Sequence, residues 1–187
     1  MEVYIIRHTR VDVPSGICYG QTDVDVAVTF ESEAQELRNK LPVHFDLVYS
    51  SPMKRCTQLA RQFGRDIIID DRLKEMHFGD WELKPWNEIP EFQIAPWYKD
   101  YVHTTASGGE NFITVYERLH AFMEDLKKNT HNQKVLIVCH GGIIRSIWCY
   151  ILQIPLENAF KIPVAFGEIL QLRLGRTSTD DFIIQKK

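Results

Sequence analysis

One stretch limits the architecture more than any other: residues 134–140, KVLIVCH, followed by Gly141-Gly142. Every position from Val135 to Cys139 is apolar. A strand with one wet face alternates in polarity. A continuous apolar run needs cover on both faces and belongs at the centre of a parallel sheet. The glycines behind it let backbone approach a ligand closely.

The other segments fit that sheet. EVYIIRH at the start and FDLVYSS at 45–51 read as strands, and DIIID at 66–70 as a third. Thr29 is placed to cap a helix carrying Ala34, Leu37 and Leu41 on one face. Ser51-Pro52 has the form of an N-cap and first helical position. Cys56, Leu59, Ala60 and Phe63 then make an apolar stripe. From Asn111 onward Phe112, Val115, Leu119, Phe122, Met123 and Leu126 mark a long amphipathic helix, and 143–152 is helical in pattern. EILQLRL and DFIIQ alternate like edge strands, one of them antiparallel. Strands alternating with helices imply an α/β protein: a three-layer α/β/α sandwich around a mostly parallel sheet. Residues 76–108, rich in Trp and Pro and without a period, read as a lid insertion. At 187 residues the chain is expected to be a single domain spanning 1–187.

Composition excludes several classes. Net charge is −3 and no long block of one sign occurs, so nucleic acid and an acidic membrane surface are not expected partners. No apolar run approaches the roughly 20 residues of a membrane span. Glu2, Arg7, His8 and Arg10 do not suit the apolar core of a signal peptide. The four cysteines (18, 56, 139, 149) show no paired spacing, and a reduced, cytoplasmic setting is the economical reading. Histidines 44, 77, 103, 120 and 131 do not fall at metal-ligand spacing, so no metal and no cofactor is expected. Nothing in the sequence sets an oligomeric state.

A wound parallel sheet binds ligands outside the carboxyl ends of its strands. The first strand ends in Arg7-His8. The second ends at Ser50-Ser51, with Arg55 a helical turn on. Glu75 and Glu82 follow the third, and His140-Gly141-Gly142 ends the fourth. Two arginines, two histidines and carboxylates would thus share one rim. Forked guanidinium donors match phosphate oxygens, and a protonated second histidine would add charge. Helix N-termini at Ser51 and Gly142 would point at the same place. A neutral histidine there can attack phosphorus, and Glu75 can protonate the leaving oxygen.

A rival nucleophile is present. Cys139 and Arg145 are separated by five residues, the spacing of a cysteine-dependent phosphatase. Successive strand side chains point to opposite faces, however, and Cys139 follows an apolar run. It reads as a small core hydrophobe, and a cysteine mechanism would leave Arg7, His8 and Glu75 unexplained. Arg145 reads as helical, structural or on the rim.

In order, Arg7-His8-Thr9, Ser50-Ser51-Pro52 with Arg55, Leu73-Lys74-Glu75 with Gly79-Asp80-Trp81-Glu82, Gly108-Gly109-Glu110 and His140-Gly141-Gly142 resemble the histidine phosphatase superfamily, the phosphoglycerate-mutase-like fold. The resemblance implies a phosphohistidine on His8. Arg7, Arg55 and His140 would hold the phosphoryl oxygens, with Gly141 beside them. Glu75 would serve as proton donor and acceptor, and no metal would be required. A backbone carbonyl accepting from Nδ1 of His8 would leave Nε2 free.

Residues 7–23, RHTRVDVPSGICYGQTD, most resemble the α-ribazole-5′-phosphate phosphatase branch, which serves cobalamin assembly. That likeness places Gln21 and Thr22 near the phosphate or its ester oxygen. The implied partner is a small-molecule phosphate ester. Three positions depart from the usual pattern: Thr9 and Leu83 stand where glycine is common, and Asn111 where serine is. Glu82 reads as structural. A mutase, a broad phosphatase and a non-catalytic phosphate-binding module are the rival readings. The compact chain speaks against the mutase, and the full set of His8, Arg7, Arg55, Glu75 and His140 against the module.

Overall fold

A computed structural model describes residues 1–129 and 133–187. Among these, six strands form one sheet: β1 (Glu2–Arg7), β2 (Leu47–Ser50), β3 (Ile68–Ile69), β4 (Lys134–Cys139), β5 (Ile169–Arg173) and β6 (Phe182–Lys186). Their order is β3-β2-β4-β1-β5-β6. β1 to β4 run parallel, β5 is antiparallel to β1, and β6 is antiparallel to β5. The apolar run 135–139 is central, as its composition requires.

Its alternating side chains separate two cores. Val135, Ile137 and Cys139 face α4 (Phe112–Asn129) and α5 (Gly141–Leu152). Leu136 and Val138 face α1 (Phe30–Lys40) and α2 (Lys54–Ala60). All five are fully buried. Burying such a Val, Ile or Leu side chain stabilises by about 1.5–3 kcal/mol. The result is a three-layer α/β sandwich.

Four expectations are corrected. Ser51-Pro52 does not start a helix: α2 begins at Lys54, after an extended Met53. The Ser51 hydroxyl, which would have capped it, lies 2.8 Å from Nε2 of His140 instead. Thr29 does occupy the N-cap position of α1, but its hydroxyl donates to the Glu33 carboxylate rather than capping backbone. The third strand is only Ile68–Ile69, exposed at the sheet edge. β5 is no edge strand, because β6 pairs along its outer side, and Ile169, Leu170 and Leu172 are buried.

The 76–108 segment holds two 3₁₀ turns, Gly79–Trp81 and Trp86–Glu88, and one helix, α3 (Glu91–Lys99). Trp97 organises it. Trp86 stacks on Trp97 at 5.9 Å, and Phe78, Trp81, Tyr101 and Phe160 surround it at 5.9–6.1 Å. Phe92 and Tyr98 stay exposed. Most of these rings therefore fasten the segment to the body, leaving few to meet a ligand.

Strand register sets the site. Arg7 is level with Cys139 across the β1–β4 pair, and Ser50 with Val138 across β2–β4. The His8 N–H donates to the Cys139 carbonyl (3.0 Å), and the Ser51 N–H to that of Val138 (3.0 Å). Three chain segments thus leave the sheet at one height.

Candidate active site

His8 and His140 emerge side by side, their ring centroids 5.2 Å apart. Both are essentially without solvent contact. Nδ1 of His8 is 2.7 Å from the Thr9 carbonyl oxygen. A carbonyl can only accept, so Nδ1 carries the proton and Nε2 the lone pair. Burial, then the charges of Arg55 and Arg7, hold the His8 imidazole well below its ordinary pKa. Burial and then Arg55 depress His140 in the same way. Both rings are therefore neutral near pH 7, and His140 does not add the charge that protonation would bring.

The two arginines reach the site from different elements, β1 and α2. Arg55 is fully buried in α2 and donates to the carbonyls of Thr22 (2.9 Å) and Gly20 (2.7 Å). Arg7 donates to the Val164 carbonyl (2.7 Å), and its guanidinium lies 3.9 Å from the centroid of Phe166. Each keeps a buried Nε–H with no acceptor. Leaving such a donor unpaired costs about 1–3 kcal/mol, and more when it is charged. Two orphaned guanidinium donors beside two neutral imidazoles form a cluster that calls for an anion.

Glu75 sits at the start of α5. Its carboxylate accepts the Gly142 N–H (3.1 Å) and the Met76 N–H (2.9 Å). A Cβ on Gly142 would lie 2.2 Å from Oε1 of Glu75, so only glycine leaves the carboxylate room. Gly141 opens toward the arginines: a Cβ there would meet Nη1 of Arg145 at 3.0 Å and Nε of Arg7 at 3.6 Å.

Gln21 and Thr22 lie near this cleft with their side chains already engaged. Gln21 donates to the Glu75 carbonyl (2.9 Å) and to the Glu110 carboxylate (3.3 Å). The Thr22 hydroxyl donates to Glu82. Glu82 also accepts the backbone N–H groups of Gln21, Thr22 and Phe78, which is the structural part expected of it. His77 is half-exposed, with Nε2 3.9 Å from Glu82. His131 lies outside the described residues.

The cysteine alternative fails on placement and on charge. Cys139 faces the α4–α5 core, and burial pushes its thiol well above the usual range. Cys56 does touch His140, with Sγ 3.4 Å from Nε2, but burial lifts its thiol to about 12. Neither is a thiolate near neutrality.

Two contributors escape sequence reasoning. Arg118 on α4 donates to the carbonyls of Arg72, Lys74 and Glu75 and pairs with Glu110, fixing the backbone that carries Glu75. It shows only as one polar residue in an amphipathic helix. Phe166 packs 5.5 Å from His8 and over Arg7, lifted there by a turn at Gly167 (φ +68°). The run KIPVAFGE offers no motif for it.

The histidine phosphatase superfamily (branch 1) profile matches residues 3–180. The chain belongs to that superfamily. Among relatives of the histidine phosphatase, the phosphoserine phosphatase 1 of Hydrogenobacter thermophilus is 28% identical, over 84% of this chain and 79% of its own. The adenosylcobalamin/α-ribazole phosphatase of Escherichia coli is also 28% identical, over 89% and 87%. The crystal structure of the α-ribazole phosphatase from Shigella flexneri superposes with a TM-score of 0.85 at 26% identity, covering 94% of this chain and 92% of that one.

Proposed function

We propose that this histidine phosphatase hydrolyses a small phosphate monoester through a phosphohistidine on His8. One observation carries the reading. Nε2 of His8 keeps its lone pair beside two arginines, each with a buried Nε–H that lacks an acceptor.

The steps follow from the residues. Arg7 and Arg55 grip the phosphoryl oxygens through their unpaired donors. His140 contributes the ring nitrogen that Ser51 leaves unengaged. Nε2 of His8 forms a bond to phosphorus while the ester P–O bond breaks. The departing oxygen takes a proton from the Glu75 carboxyl. A water then attacks phosphorus, its proton passes to Glu75, and the P–N bond breaks to release phosphate and neutral His8. Gln21 and Thr22 act from behind, as anchors of the 19–23 turn through Glu82 and Glu110.

Two substrates are supported. Residues 7–23 and the Escherichia coli and Shigella flexneri relatives favour α-ribazole-5′-phosphate and hence cobalamin assembly. The Hydrogenobacter relative favours phosphoserine. Brief incubation with a ³²P-labelled ester, followed by denaturation, tests the shared chemistry. Label stable in alkali and labile in acid is expected, absent from His8→Ala and retained in Cys139→Ala. Label that survives in His8→Ala overturns the reading.

A further inference from the structure

Arg145 is the cation the mechanism leaves unused. It projects from the first turns of α5, and its Nη1 borders the bare face of Gly141, as does Nε of Arg7. Only its Nε is tied, to the Ile162 carbonyl at 3.1 Å. The guanidinium rests 5.0 Å from the centroid of Phe160. Among the described residues neither Nη group has a protein acceptor, and no carboxylate stands within ion-pair distance. Unlike the orphaned Nε atoms of Arg7 and Arg55, these groups are not sealed from solvent.

Position tells which part of a substrate they would meet. Glu75 protonates the leaving oxygen, so the space beside it belongs to the leaving group. Arg145 shares that space: its Nη1 lies against Gly141, the residue before the Gly142 N–H that holds Glu75, and Glu75, Arg7 and Glu168 are the charged groups around it. The phosphate dianion is matched by Arg7 and Arg55. A third guanidinium in the same cleft, half-buried and unpaired, calls for a further negative charge on the ligand. A forked donor of this kind selects a carboxylate. The leaving group of α-ribazole phosphate carries no anion.

We propose that Arg145 determines specificity by binding a carboxylate on the leaving alcohol, so that the substrates are phosphate esters of small hydroxy acids. The inference rests on the phosphatase reading. A matched pair tests it: 3-phosphoglycerate and glycerol 3-phosphate, which differ by a carboxylate in place of a hydroxymethyl group. The wild type should favour the first by at least about 10-fold in kcat/KM. R145M should cut that ratio by about 10- to 100-fold, chiefly through KM, and R145K, which keeps the charge without the fork, should fall between.

A wild-type ratio near one overturns the proposal whatever the variants do. So does an unchanged ratio in R145M, or a wild-type preference for α-ribazole phosphate over both esters. Turnover without carboxylate preference leaves the phosphatase reading standing. No turnover of any ester and no phosphohistidine sinks both.

Discussion

Gly142 shows how a single hydrogen atom in place of a methyl makes room for a carboxylate. Its missing Cβ is the space that the Glu75 carboxylate occupies, and its N–H is one of the two backbone donors that hold that carboxylate. Gly142→Ala must push Glu75 aside. General-acid assistance contributes about 10²–10⁴-fold, and matters most where the leaving group is a poor one. The expected result is a fall of about 100-fold in kcat/KM for an alkyl phosphate, with a much smaller fall for p-nitrophenyl phosphate, whose phenolate leaves unaided. Equal losses on both esters would deny Glu75 the role of acid. At this scale the sequence was highly legible: His8, Arg7, Arg55, Glu75 and His140 stand at or just after strand ends, where fold rules concentrate ligands, and the structure brings all five together. Gln21 and Thr22, expected to meet the ester, are instead turned to the Glu75 carbonyl and to carboxylates, because which way a loop side chain points depends on partners remote in sequence. Phe166 and Arg118 act through contacts of that remote kind and left no local trace.

Elements were legible where burial enforces a period and less so where single hydrogen bonds decide. β4 and α4 carry unbroken apolar patterns and form as read. α2 starts two residues late because His140, distant in sequence, takes the hydroxyl that would have capped it. For β5, an alternating pattern does not reveal that another strand covers its edge. The 76–108 segment defied periodicity since one ring, Trp97, gathers it rather than a repeating face. Within it Leu83 has φ +65°, in the left-handed region, and its side chain is 60% exposed. That conformation costs a non-glycine residue about 1–2 kcal/mol, and glycine returns about 0.4–1 kcal/mol of it through the unfolded chain. Leu83→Gly should therefore stabilise by about 0.5–1 kcal/mol and raise Tm by about 1–4 °C. A lower Tm in calorimetry would mean that the Leu83 side chain, against the cavity it shares with Ile17 and Val24, contributes more than the strain removes.

For the whole molecule, the sheet assembles the site at a cost that pH exposes. Parallel register delivers two imidazoles to one height, the helices on both faces seal them, and two guanidiniums complete the enclosure. In the unfolded chain both rings would titrate near 6.5; in the native protein both are held well below it, by burial first and then by the arginines. Above 6.5 the two states bind protons alike at these positions. As pH falls below 6.5 the unfolded chain takes up as many as two protons that the native protein refuses, so stability declines toward acid. The limiting slope is about 1.4 kcal/mol per pH unit for each ring, about 2.7 for both. Glu33 and Asp70, whose pKa values the fold lowers, act in the same sense, but only as pH nears their unfolded values of 4.5 and 3.8. The interval between pH 6.5 and 5 therefore isolates the histidines. Urea denaturation across it should show free energies falling with a slope above about 1.4 kcal/mol per unit, and His8→Asn should shallow that slope by up to about the same amount whatever its absolute stability. A wild-type curve flat from pH 7 to 5 would mean that these rings protonate in the folded protein as readily as in the unfolded one. The neutral nucleophile that the proposed phosphohistidine chemistry requires would then be absent at mildly acid pH.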